Sequence, residues 1–457
     1  AIARGGDPLA LRLRVLGEIP VRKIGKDGKQ PTDPDGNPDT SFLAKIPADT
    51  AFTFQTIDKH GMVLNMSQTW HQLRAGEVRN NCGGCHAHSQ EPTDFNETFA
   101  ARDDYKVWDL VNTTPLVTTK ENDASKQQWD VEGTSGLRQY DREALDVEYH
   151  RDIVPILQRS CVACHTKESD KPAGNLVLDA DDEMIQYRHE GKFPGTYFRL
   201  ALDERAQFGH KPATYDSWGY PNASRTIRKF QSRRSLLVWK IYGRRLDGFS
   251  NDDHPSEPFP GAGYHEHQGK RYEERRQWYD IDFHGKQMPP PEAVEKGKVK
   301  PLTDEDRRTI VRWIDLGCPI DMDPRKDGTP RTPGETDDDR GKGWFADDNR
   351  PVLTVTQPRP GPNARIDRII VGMHDYYTGL DAESFTVTAD FAIDGVVPGT
   401  NLASKFKPTT QGVYVLKLAK PIVNLDRGKL TVSVRDKEGN VTTIVRHVHI
   451  DTKVAAK

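Results

Sequence analysis

At 457 residues the chain is too long for one ordinary hydrophobic core, and its length calls for about three domains. Hydrophobic residues make up 35% and mean hydropathy is −0.76, so the chain is polar yet has enough apolar side chains for several small cores. Lysine and arginine number 65 against 68 acidic residues, a net charge of −3 that leaves no electrostatic footprint for nucleic acid, and no apolar run approaches the roughly 18 residues of a membrane span.

Residues 1–78 read as a small antiparallel β-sandwich. Residues 9–15 alternate apolar and polar, as a half-buried strand does, and residues 25–38 are a turn-rich loop. Residues 42–47 and 51–57 follow as strands, and Asp58-Lys59-His60-Gly61 turns the chain into a further strand at 62–66. Residues 79–145 then form a first motif-bearing segment: Cys82-Gly83-Gly84-Cys85-His86, followed by polar sequence with little periodicity, read as loops and short helices.

Residues 146–323 form a second, mainly helical module. Its first helix, from Asp152 to Leu157, runs into Cys161-Val162-Ala163-Cys164-His165. Its closing helix starts at Thr303, with Asp306 placed for a capping box, and stops at Gly317. The long insertion between them, about 180–285, holds a helix at 235–242. Residues 324–350, rich in Asp, Gly, Pro and Arg, mark a linker. From Pro351 to the end, alternating strands separated by turns predict an immunoglobulin-like sandwich. The fold class expected is therefore mixed and multidomain, with a β-sandwich at each end and mainly α-helical haem modules between.

The chemistry lies in the two C-x-x-C-H motifs, which use four of the five cysteines. Cysteines three residues apart reach the two vinyl groups of one porphyrin, and the following histidine sits beneath the iron. The spacing predicts two covalently attached haems c, held by Cys82, Cys85 and His86 and by Cys161, Cys164 and His165; zinc or disulfides are the other uses of such cysteines. Haem c is attached outside the cytoplasm, so a bacterial periplasmic or extracellular location is expected. Residues 1–6 do not form a secretion signal, so a signal is expected to have been removed before Ala1.

The sixth iron ligand separates an electron carrier from a catalyst. For the second haem, Met288 in Gln287-Met288-Pro289-Pro290-Pro291 is the candidate: a thioether on a proline-stiffened loop favours ferrous iron. A packing role, or ligation by His254, His265, His267 or His284, is the alternative. For the first haem, His71 and His150 each stand eleven residues before the first cysteine of a motif, and Met62, Met66, His60 or an open site compete with them. His88 follows His86 too closely for the same iron. Cys318 reads as a lone buried thiol. The clusters at 252–254 and 265–267 and the acidic runs at 179–182 and 337–339 read as solvated faces before cation sites.

Asp152 to Leu157 with Cys161 to His165, Met288-Pro289-Pro290 and Trp313-Ile314-Asp315-Leu316-Gly317 resembles class I-type cytochrome c domains of large secreted bacterial proteins. Pro47-Ala48-Asp49-Thr50, the Trp70 segment, Gly76-Glu77 and Cys82 to His86 resemble the middle domain of the hydrazine synthase alpha subunit family. Together these cover about residues 10–320. In that family the haem of this domain is catalytic and uses a tyrosine just past the motif; here the stretch is Ala87-His88-Ser89-Gln90. The function expected is electron transfer between a redox donor and an acceptor protein. The alternatives are a haem enzyme acting on small nitrogen or oxygen species at an open first haem, and a structural subunit of a larger redox complex.

Overall fold

In the computed structural model the residues described are 13–21, 29–58, 61–67, 69–82, 91, 93–117, 145–187, 191–204, 207–208, 224–250, 283–320, 350–376, 378–451 and 453. Strand backbone is also described at 2–3, 11–12, 23–24, 129–130 and 137–140. Among the described residues strand outweighs helix, 30% to 19%, so the expectation of mainly α-helical haem modules is overturned: the protein is multidomain and β-rich.

The first half is a mosaic of two-stranded sheets. β1 (Ile2–Ala3) pairs with β2 (Leu11–Arg12), β5 (Gln55–Ile57) with β6 (Val63–Met66), β8 (Thr114–Val117) with β10 (Leu137–Tyr140), and β11 (Met184–Tyr187) with β12 (Gly191–Pro194), all antiparallel. β3 (Lys23–Ile24) pairs with β9 (Trp129–Asp130), and β4 (Ala44–Lys45) with β7 (Trp108–Asp109), both parallel. The β5–β6 hairpin turns where the sequence places it, with Gly61 N–H donating to the Asp58 carbonyl. The N-terminal sandwich expected over 1–78 is absent among the described residues. Its strand runs are only two to four residues long, and two of them find parallel partners beyond residue 100. Two-stranded pieces of this size are not stable alone and must lean on a neighbouring core.

That core gathers around short helices. The backbone makes a π-turn at Tyr149–Ile153 and continues as α1 (Val154–Ser160). α2 (Gly195–Tyr197), α3 (Leu236–Tyr242) and α4 (Pro291–Glu295) are shorter than two full turns, and among the described residues only α5 (Asp304–Asp315) reaches twelve residues. Thr303 Oγ accepts from Asp306 N–H while Asp306 accepts from Thr303 N–H, completing the capping box and fixing the start of α5. Buried Tyr149, Tyr197, Phe193 and Trp313 pack ring against ring at its heart. Leu13 and Met62 from the N-terminal mosaic belong to the same cluster as Ile156, Leu157, Val311 and Ile314.

Two buried polar clamps join the mosaic to α5. Glu18 accepts from Arg308 (2.7 Å), from Arg312 (3.1 Å) and from the backbone N–H of Val117 (2.8 Å). Asp315 accepts from Val63 N–H (3.1 Å) and from both Ser232 N–H (2.8 Å) and Ser232 Oγ (2.7 Å). Arg308, Arg312 and Asp315 fall at i, i+4 and i+7, one stripe of the helix, so this charged stripe faces protein rather than water.

The second core is separate. The strands β13 (Val352–Gln357), β15 (Ile366–His374), β18 (Val413–Ile422) and β17 (Lys407–Thr410) form one sheet in that order. β14 (Gly361–Asn363), β20 (Val441–Ile450), β19 (Gly428–Asp436) and β16 (Leu380–Ala389) form the other. β14 lies parallel to β20, and the remaining pairs are antiparallel. This is the A-B-E-D and A′-G-F-C order of an immunoglobulin-like sandwich. Inward residues of both sheets, among them Val355, Val371, Val387, Leu416 and Val432, interleave in one apolar layer.

Candidate functional site

The second C-x-x-C-H sits where α1 ends against the core. Cys161 N–H donates to the Leu157 carbonyl, Cys164 N–H to that of Cys161, and His165 N–H to those of Cys161 and Val162, so the motif closes as a tight turn on the helix. Cys161 is half-buried and packs on the aromatic core, and burial pushes its thiol up to about 12. Cys161 and Cys164 are both free thiols, not a disulfide.

The imidazole of His165 is held from one side. Its Nδ1 lies 3.2 Å from the Leu176 carbonyl oxygen, which can only accept, so Nδ1 carries the proton and Nε2 keeps its lone pair. Burial lowers the histidine's pKa, against the opposing pull of the Leu176 hydrogen bond, so the neutral ring is favoured. Backbone hydrogen bonds from Ala173 N–H to the Cys164 carbonyl and from Leu178 N–H to the His165 carbonyl bring the Leu176 carbonyl into place. Histidine ligands to metals typically donate their other N–H in this way. Ser160 Oγ, directly before Cys161, is buried with no hydrogen-bond partner among the described residues. The donor set therefore fits a group carried by the motif: a neutral, oriented imidazole, two free thiols and an orphan hydroxyl beside them.

Met288 is half-buried on a loop tied to α3: its N–H donates to the Lys240 carbonyl (2.8 Å), and Gln287 Nε2 donates to that of Ile241 (3.1 Å). Arg307 reaches the same Ile241 carbonyl, and Arg159 of α1 pairs with Asp306, so the Met288 loop, α5 and the motif helix are bonded into one unit. His284 is exposed, and its carbonyl accepts the Lys240 ammonium.

In the first motif Cys82 is exposed, whereas Cys85 and His86 lie outside the described residues, as do His60, His88, His254, His265, His267 and the acidic run at 337–339. His71 bridges to Phe52 in the backbone and sets its ring against Phe52 and Phe54 at 5.7 and 5.6 Å. His150 lies in the π-turn with its ring edge-on to Tyr149 at 5.2 Å. Met62 is fully buried in the core, and Met66 takes a long contact from Gln55 Nε2 at 3.7 Å. Cys318 is buried, and its carbonyl accepts from Tyr197 Oη at 2.7 Å. The acidic run at 179–182 is engaged in the fold: Asp179 accepts from Thr166 and Lys167, Asp181 from Tyr149, and Asp182 from Lys167. Sequence reading missed the Leu176 carbonyl and the Glu18 and Asp315 clamps. The charged stripe of α5 was the available signal for the clamps; a backbone carbonyl leaves none.

Among the described residues no three His, Cys, Asp or Glu side chains cluster as a metal site, and no helix is long and apolar enough to cross a membrane. Fold and site define a multidomain, β-rich protein with a C-x-x-C-H motif seated on a buried helix end. Residues 10–87 match the model of the hydrazine synthase alpha subunit middle domain. The chain is also 27% identical over 332 residues to hydrazine synthase subunit alpha of Kuenenia stuttgartiensis, an alignment covering 66% of this chain and 34% of the relative. The chain thus resembles hydrazine synthase alpha subunits and spans about a third of the length of the curated relative it matches. The solved Kuenenia stuttgartiensis hydrazine synthase is 19% identical, covering 59% of this chain and 30% of that one, with a TM-score of 0.34. A Porphyromonas gingivalis PorU structure is 16% identical over 28% of this chain and 12% of that one, with a TM-score of 0.20. Neither is a match of whole folds.

Proposed function

We propose that this chain is a haem-carrying subunit of an exported redox enzyme of the hydrazine synthase kind, working within a larger complex. The observation that carries the reading is His165, half-buried, neutral and donating Nδ1–H to Leu176 so that Nε2 is left for a ligand, beside two free thiols at attachment spacing. The match of residues 10–87 and the relative's name support the choice of reaction class. Bound haem c would supply one-electron iron chemistry; the protein's part is to attach, orient and bury it. Cys161, Cys164, His165 and Met288 would hold one haem, and Cys82, Cys85 and His86, with His71 or His150, would hold another. The haems would supply electron exchange with redox donor and acceptor proteins and with small nitrogen species.

A plain electron carrier is the second reading, favoured by one fact: Ala87-His88-Ser89-Gln90 has no tyrosine at the place where the family's catalytic haem uses one. The first test is a pyridine haemochrome assay on acid-acetone-washed protein. Two haems per chain are expected, and one or none sinks the dihaem assignment. Carbon monoxide then separates the readings: it binds the reduced protein at one haem if that haem has an open site, and at neither if both are carriers. Met288 predicts a weak sulfur-to-iron band in the oxidised protein that Met288→Ala abolishes; survival of the band transfers the role to another methionine.

A further inference from the structure

We infer that the surface formed by the end of α3 and the segment leading into α5 is a docking site for an acidic electron-carrier protein, an inference that rests on the haem-carrying redox reading above. Ion-pair accounting around the second motif leads there. On one side the acidic run is partly offset from within: Lys167 pairs with Asp182 and Arg199 with Glu183, while Asp181 takes the neutral Tyr149 hydroxyl. On the other side the charge is left over. Residues 284–300 hold four lysines against two glutamates, and among the described residues Lys286 alone of the four lysines has an ion-pair partner, Glu292. Lys298 and Lys300 are exposed on either side of buried Val299 and have no ion-pair partner among the described residues, and the same holds for exposed Arg244.

These cations belong to segments bonded to the motif helix or to the Met288 loop. Lys300 N–H donates to the carbonyl of Arg159, two residues before Cys161. Arg244 follows Gly243, whose backbone lies against the Gln287 side chain next to Met288. Unneutralised positive charge thus collects beside the place where electrons would enter or leave, on a chain whose net charge is −3. Local fields of this kind steer an oppositely charged partner and orient its redox group toward the site.

The test uses haem-loaded protein and reduced flavodoxin, an acidic flavin carrier, as the probe. At low salt its second-order reduction of the haem should be fast and should slow as sodium chloride rises. Lys298→Glu with Lys300→Glu should slow it roughly tenfold or more. The neutral semiquinone of lumiflavin, the same redox group without protein charge, should reduce wild type and variant equally. The charge-matched pair Lys420→Glu with Lys429→Glu, on the C-terminal sandwich, should behave as wild type. Calorimetric titration with oxidised flavodoxin should show salt-sensitive binding that the Lys298/Lys300 variant weakens. If the flavodoxin rate ignores salt and both lysines while lumiflavin still reduces the haem, the docking surface is wrong. An equal loss in both variants points to net charge and also overturns it. If lumiflavin fails to reduce the protein at all, the redox reading itself falls.

Discussion

Glu18 and Asp315 show how burial gives two carboxylates opposite fates. Burial alone would raise Glu18, but the guanidiniums of Arg308 and Arg312 more than reverse this and bring it from 4.5 down to about 2. A carboxylate lowered on folding contributes stability above its unfolded value. That contribution is complete above about pH 4.5 and is lost as pH falls toward 2. Asp315 goes the other way: burial pushes it from 3.8 up to about 6, although Ser232 and Val63 donate to it. A carboxyl raised on folding holds its proton longer in the folded state, so its contribution declines as pH rises from about 4 to about 6. Urea denaturation across pH should show this decline in wild type and lose it in Asp315→Asn. Glu18→Gln at pH 7 removes the buried carboxylate that both guanidiniums share and should cost about 3–5 kcal/mol. A change below 1 kcal/mol would mean that water reaches the cluster.

Among the elements, α5 organises the first core. Its capping box fixes its start, Gly317 ends it, and its charged stripe reaches back to β6 and the Glu18 segment. The β5–β6 hairpin is fitted to that stripe. Gly61 has φ +72, and a Cβ there would fall 1.4 Å from Arg308 Nη1. Gly61→Ala should therefore displace the guanidinium from Glu18 as well as strain the turn, and destabilise by more than the ~1 kcal/mol that separates glycine from alanine at an ordinary site. Thermal melts of Gly61→Ala and of Gly61→Ala with Arg308→Ala check this. The double variant should lose less than the sum of the two single losses, because removing the Arg308 side chain removes the clash. The helices of this region are short, so register is set by such polar contacts and by stacked aromatic rings rather than by long helical seams.

At the scale of the molecule, the two cores are built from different parts of the chain. Leu13 and Met62 share theirs with residues 147–320, whereas the sandwich from Leu353 onward closes on its own apolar layer. We predict that a protein ending at residue 325 attaches haem with unchanged spectra, since the sandwich carries neither cysteines nor a residue of the proposed haem sites. Loss of haem or altered axial ligation in that truncated protein would place the sandwich within the haem-binding unit.

The local sequence determined features whose causes are local. The C-x-x-C-H spacing, the Thr303/Asp306 box, the Gly317 stop, the Asp58 to Gly61 turn and the alternating strands after Pro351 each depend on residues a few positions apart, and each is legible without a fold. Tertiary structure decided what depends on residues far apart in the chain. β3 and β4 pair in parallel with segments beyond residue 100, so their short apolar runs form a mosaic where alternation alone suggests a sandwich. The described residues between the motif helix and α5 form few helices because their burial comes from packed aromatic rings and a π-turn, neither of which leaves a helical period in the sequence. The His165 tautomer was decided the same way: a carbonyl eleven residues along the chain holds the Nδ1 proton, and only the folded backbone brings it there.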